Sequence, residues 1–208
     1  GLTRKEIVER LKLPSGGTLT KVLRELIDCD FVRGYNTRER KIKQKDQIYQ
    51  LIDLYTLFYM QFCHPASTDT AFWTHQMGKP RQNTWYGLAF ERICMLHIPQ
   101  IKQQLGIAQI YTEYYSWRSK LSTPASQIDL LIERADNLVN LCEIKYSQAP
   151  YSITKEEDMR IRTRIADFVG ETKIRHGVLT TLITTFGLRP NPYSSIAQVQ
   201  LTMDDLFV

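Results

Sequence analysis

The chain has 208 residues, 43% of them apolar and 24% charged, with a net charge of +5. That length holds one large domain or two small ones, and the composition excludes a disordered or fibrous chain. No run of ~18 apolar residues could span a membrane, no signal-peptide pattern opens the chain, and its four cysteines form no Cys-x-x-Cys pair. We therefore expect a cytoplasmic protein with free thiols and no membrane partner.

The charge is unevenly spread. Residues 1–50 hold 12 Lys/Arg and 7 Asp/Glu, an excess of five, whereas residues 51–208 hold 15 of each. A basic first quarter is the pattern of a segment that meets a polyanion.

Residues 1–52 read as a small domain. Thr3-Arg4-Lys5-Glu6 is a capping box that starts a helix, and Leu13-Pro14-Ser15-Gly16-Gly17 breaks it. A second helix from about Thr18 carries an apolar stripe of Leu19, Val22, Leu23, Leu26 and Ile27. Lys21 and Arg24 are left on its outer side. Two strands follow, around Phe31-Val32 and Gln47–Leu51, joined by a stretch containing Arg38, Arg40, Lys41 and Lys43. Two helices and a basic hairpin resemble a winged-helix domain whose first helix is missing. In that family the second helix enters the major groove and the wing follows the phosphates. Lys21, Arg24, Arg38, Arg40, Lys41 and Lys43 are thus the candidate DNA-binding residues. The alternative is a solvated hairpin, or a joint between proteins. With no initiator methionine at the start, the missing helix leads us to expect part of a longer chain.

Residues 53–82 are the connection. The apolar residues from about Tyr49 to Phe62 predict one buried helix bridging the two halves. Gly78-Lys79-Pro80 lacks the residues of a phosphate loop, so no ATP site is expected in this chain.

Residues 83–208 read as helix, three strands, helix, strand, with a last strand near Ala197–Leu201. The first helix starts near Asn83 and carries Glu91 off its apolar side. The helix from Thr154 to Val169 turns Met159, Ile161, Ile165 and Phe168 inward. Its Arg160, Arg162 and Arg164 face largely outward.

The second and third strands, Gln127 to Tyr146, carry the chemistry. Arg134-Ala135-Asp136-Asn137 is turn-forming. A turn centred on Asp136 sets Asp129 opposite Glu143 on adjacent strands, and strand periodicity puts Lys145 on the face of Glu143. Two carboxylates in so apolar a hairpin repel unless one is protonated or a cation lies between them. Mg²⁺ or Mn²⁺, held by Asp129, Glu143 and the carbonyl of Ile144, would relieve the repulsion. Lys145 would then assist a water that attacks a phosphodiester. The alternative is an amphipathic hairpin with a surface Glu–Lys pair.

The element order, with Asp129 and Glu143-Ile144-Lys145 on successive strands, resembles the PD-(D/E)XK nuclease superfamily. The expected fold is therefore α/β: a restriction-endonuclease-like mixed sheet flanked by helices, preceded by a truncated winged helix. The resemblance implies that Asp129 and Glu143 bind the metal, that Lys145 assists the water, and that Glu91 on the first helix joins them. The proline that usually precedes the motif aspartate is replaced here by Ile128. Four segments, Tyr49–Tyr55, Gly87–Glu91, Thr184–Leu188 and Leu201–Phe207, further resemble the C-terminal part of archaeal-type AAA+ ATPases. That resemblance implies a partner P-loop ATPase domain preceding this chain. Two functions stay open: a Mg²⁺-dependent DNA endonuclease, or an inactive nuclease-like module that docks DNA or the ATPase.

Overall fold

A computed structural model describes residues 1–35, 47–63, 68–119, 121–123 and 125–207. The chain divides into two compact units, Gly1–Gln82 and Asn83–Val208.

The first unit opens with β1 (Leu2–Thr3), α1 (Arg4–Leu11) and α2 (Gly17–Asp28). Thr3 and Glu6 form the reciprocal capping box that starts α1. Arg4 fastens the start of α2, donating to Ser15 Oγ at 2.8 Å and to the carbonyl of Gly16 at 3.0 Å. On α2, Leu19 and Leu23 are buried, whereas Val22 is exposed. β2 (Val32–Tyr35) and β3 (Ile48–Leu51) complete a three-stranded antiparallel sheet in the order β1-β3-β2.

The single buried helix expected from Tyr49 to Phe62 is not what forms. Tyr49 lies in β3; Asp53 then caps a short α3 (Leu54–Phe58) by accepting from the amide of Thr56 at 2.6 Å. A π-helical turn follows over Tyr59–Cys63. The capped restart and the wider turn change the helical phase, so the apolar residues no longer share one face. Ile52 and Phe62 are buried, whereas Tyr55 and Met60 are 74% and 63% exposed. Phe62 packs against Phe58, Phe72 and Trp73, with the Arg81 guanidinium over its ring at 4.9 Å. Phe72 and Trp73 belong to α4 (Phe72–Gln76).

The second unit is mixed α/β. After α5 (Pro80–Leu96) and α6 (Ile98–Gln104) come β4 (Thr112–Arg118), β5 (Gln127–Arg134) and β6 (Leu138–Lys145). Then follow α7 (Lys155–Thr172), β7 (Gly177–Thr184) and β8 (Val199–Thr202). The five strands lie in chain order, antiparallel from β4 to β6 and parallel from β6 to β8. A parallel pair cannot be joined by a tight turn, and α7 is the crossover between β6 and β7. Strand periodicity divides the core into two layers. Leu130, Ile132 and Cys142 pack with Phe90, Cys94 and Ile101 of α5 and α6. Leu131, Val139 and Leu141 pack with Phe168 of α7 on the other side.

The α7 face differs from the expected one at two positions. Met159 is 58% exposed, whereas Arg164 turns inward beside Ile161 and Phe168. At 3.6 residues per turn, Ile161, Arg164 and Phe168 share one stripe, whereas Met159 is about 200° from Ile161.

Candidate functional site

The hairpin that carries the candidate residues turns where the sequence places the turn. Asn137 adopts φ 64°, a left-handed conformation that asparagine tolerates. The Arg134 guanidinium donates to Asp136 from Nε at 3.0 Å and from a second nitrogen. That hydrogen bond holds the Asp136 carboxyl below the usual carboxylate range.

From the turn, the β5–β6 pairing runs from Glu133 opposite Val139 to Leu130 opposite Cys142. The pairing ends there, one step short of Asp129 and Glu143. β5 is irregular at this point. On its other side Tyr115 pairs with Leu131 and Trp117 with Ile128, so two steps along β4 match three along β5. The extra residue falls at Asp129–Leu130. A bulge re-aims the side chains it carries, and this one sits at the candidate aspartate. Asp129 Oδ1 accepts from Gln127 Nε2 at 2.7 Å.

Glu143 is 5% exposed and is held by two cations. Arg164 Nη1 donates to Oε1 at 2.5 Å, and Lys145 Nζ lies 3.8 Å from Oε2. Arg164 and Lys145 are themselves only partly exposed, at 27% and 32% of their side-chain surface. A small cavity beside Glu143 is bounded by Lys145, Glu157, Arg160 and Arg164. Tyr151 donates its hydroxyl to Glu157. Burial, reinforced by this bond, pushes the Tyr151 phenol up, so it stays protonated.

Arg160 and Arg164 also line a cleft of about 600 Å³ between α7 and the chain entering β5. Ser126, Gln127, Thr163 and Asp167 line it too. Its outer wall is tied to α7, since Ser119 and Ser126 donate their hydroxyls to Glu171 and Asp167. Gln127 therefore links Asp129 to the cleft on one side, and Arg164 links Glu143 to it on the other.

Glu91 is half buried on α5, the helix whose Phe90 and Cys94 cover the face of the sheet away from α7. Glu143, Lys145 and Arg164 are gathered on the α7 side. Lys21 and Arg24 are exposed on α2, and Lys21 lies 3.7 Å from Glu25. Arg38, Arg40, Lys41 and Lys43 lie outside the described residues.

Arg164 is the residue that sequence reasoning missed, yet it had a signal. It stands three residues after Ile161 and four before Phe168, the spacing of a buried helical stripe. A charged residue on such a stripe needs a buried partner, and Glu143 is the one it finds.

Among the described residues no group of three or more His, Cys, Asp or Glu side chains converges as a metal cage. The β5–β6 pairs end at Leu130–Cys142, Ile128 and Leu131 pack in the same layer with Phe168, and the bulge between them leaves Asp129 out of the lining of the cavity beside Glu143. That cavity sets two carboxylates, Glu143 and Glu157, among three cationic side chains, Lys145, Arg160 and Arg164, whereas a hard divalent cation takes oxygen ligands.

No family model matches the chain, and no curated protein matches it. One solved structure, of a protein of unknown function called AF1548, is similar over part of its length. The identity is 15% and the TM-score 0.38, and the alignment covers 55% of this chain and 64% of that one. A likeness of that size carries no argument about fold family or activity.

Proposed function

We propose that the second unit is a Mg²⁺- or Mn²⁺-dependent endonuclease domain of the PD-(D/E)XK type, acting on DNA. We propose further that the first unit is a winged helix that holds the DNA, and that the chain is the C-terminal part of a larger P-loop ATPase. One observation carries the first proposal. The β5–β6 register, extended one step past its last pair at Leu130–Cys142, would set Asp129 opposite Glu143, and Lys145 lies beside Glu143 with a cleft alongside. The ATPase proposal rests on the sequence segments alone. The winged-helix proposal is supported by α1 and α2 followed by the antiparallel β2–β3 pair, with a basic stretch between those strands.

Asp129, Glu143 and the Ile144 carbonyl would hold the cation. When bound, the cation supplies charge neutralisation at the phosphate and a more acidic water. Lys145 holds its ammonium beside Glu143, where it can orient that water and take part in moving its proton. Arg160, exposed at the cleft wall, would meet the phosphodiester backbone with its planar guanidinium.

Conversion of supercoiled plasmid to nicked and linear forms in Mg²⁺ or Mn²⁺ tests the proposal. Wild type should cleave. Asp129→Asn should fall to background with a melting temperature near wild type, and Glu143→Gln should fall to background with a lowered melting temperature, because Arg164 and Lys145 lose their carboxylate partner. Lys145→Ala should lose roughly 10²–10⁴-fold in rate, the usual contribution of a proton-transfer group. Cleavage that survives Glu143→Gln would remove the site from the chemistry.

A second reading, a nuclease-like module without activity, is favoured by one observation: Glu143 already has two cationic partners. On that reading purified wild type binds DNA and cleaves none in either metal.

A further inference from the structure

Resting on the reading above that this chain holds nucleic acid, but not on a metal, we infer that the cleft between α7 and the chain entering β5 takes an unstacked nucleotide. The ligand class is then single-stranded rather than fully paired nucleic acid. The lining is the reason. α7 presents Glu156, Met159, Arg160, Thr163, Arg164 and Asp167 to the cleft, spaced by threes and fours along one helical face. The two carboxylates stand at the ends of that row and the two arginines in its middle, one turn or ~6 Å apart along the axis. Each carboxylate is answered locally. Asp167 accepts from Ser126. Glu156 lies in the first turn, where its own backbone amide and then the Thr154 hydroxyl hold its carboxyl below the usual carboxylate range.

Arg160 is the freer cation: its side chain is 65% exposed and reaches Glu157 only at 3.9 Å. Beside it, Met159 gives the cleft an apolar face. Met159 is 58% exposed on a helix whose buried side is filled by Ile161 and Phe168, and Ala125 lies on the facing wall. A thioether chain adapts its shape to a flat ring, and a guanidinium stacks on one. Thr123 and Gln127, also on the facing wall, offer a hydroxyl and an amide to the edge of a base. A phosphate alone needs no apolar face, and about 600 Å³ is the size of a small-molecule pocket, ~300–1,000 Å³, rather than of a single anion contact. A duplex keeps its bases stacked and offers only phosphates to such a cleft, whereas an unstacked base can enter it.

The test is NMR of the full chain labelled with ¹³C-methyl methionine, in EDTA, with the Met159 signal assigned by Met159→Leu. The probes are oligo(dA), a blunt dA·dT duplex, deoxyadenosine monophosphate and inorganic phosphate. Oligo(dA) should shift the Met159 methyl by the ring current of a stacked base, whereas the duplex and inorganic phosphate should leave it in place. The mononucleotide should shift the same methyl, at concentrations about tenfold higher or more, because it lacks the flanking phosphates. Fluorescence anisotropy should show oligo(dA) binding weakened about tenfold by Arg160→Gln and by Met159→Asp, each checked for folding by circular dichroism. A Met159 signal that stays put while anisotropy reports bound oligo(dA) would overturn the cleft as the site and leave the nucleic-acid reading standing. An equal shift with the duplex, or equal affinity for the mononucleotide, would overturn the single-strand assignment. No binding of strand or duplex by either readout would overturn both the inference and the reading it rests on.

Discussion

Glu143 is a carboxylate that the fold has removed from water, and an isolated buried charge costs several kcal/mol. Arg164 and Lys145 offset that cost. A double-mutant cycle on Glu143→Ala and Arg164→Ala, measured by urea denaturation, should give a coupling of about 0.5–3 kcal/mol. A coupling near zero would mean that the pair is not formed in solution. The cysteines offer a second check at this scale. Burial pushes the Cys94 thiol up to about 12, and burial likewise raises Cys142, whereas Cys29 is exposed. A thiol that stays protonated is a poor nucleophile. At pH 8, Cys29 should react with Ellman's reagent at once, whereas Cys94 and Cys142 should wait for denaturant. Rapid reaction of Cys94 and Cys142 in the native protein would contradict the packing of Cys94 against the sheet.

At the scale of elements, the β5–β6 hairpin was legible because its turn chemistry and its apolar runs agree on one register. The sequence pairs Asp129 with Glu143 about Asp136; the observed pairs from Glu133–Val139 to Leu130–Cys142 follow that register and stop one step short of those two residues. The bulge at Asp129–Leu130 was not legible, because it arises where β5 meets β4, and pairing with β4 leaves no local signal in β5. Arg164 is hard to place for another reason: its charge argues for solvent, although its spacing assigns it to the buried stripe. The segment after β3 failed because Asp53 restarts the helix, a cap hidden among apolar residues. The docking of α7 can be measured. Phe168 is fully buried and meets Trp117 edge-on at 5.5 Å. Phe168→Ala should therefore cost about 3–5 kcal/mol in urea unfolding, and a loss under ~1 kcal/mol would show that α7 is not docked as described. At the turn, Asp136 is held below its ordinary value by Arg134, so its contribution is complete above the unfolded-state value of ~3.9 and fades as pH falls through the lower folded value. Asp136→Asn should be less stable than wild type at pH 6, with the gap closing below about pH 3. A gap independent of pH would exclude the ion pair as its source.

For the whole molecule, the division of charge is the main clue to a partner. The basic excess lies in residues 1–50 and the carboxylate pair in the second unit. If the first unit holds DNA, reversing charge at Lys21, Arg24, Arg38, Arg40, Lys41 and Lys43 should weaken duplex binding. It should also flatten the salt dependence, by about 0.9 for each phosphate no longer neutralised. An unchanged slope in a fluorescence anisotropy titration would take these residues out of the interface. The central claim, that Asp129 and Glu143 form a cation site, is tested most directly by diffraction from crystals soaked in Mn²⁺, using the anomalous signal of the metal. The expected result is one strong peak at the open end of the β5–β6 hairpin, bonded to both carboxylates. No peak there at millimolar Mn²⁺ would contradict the claim and leave a nuclease-like module without a metal.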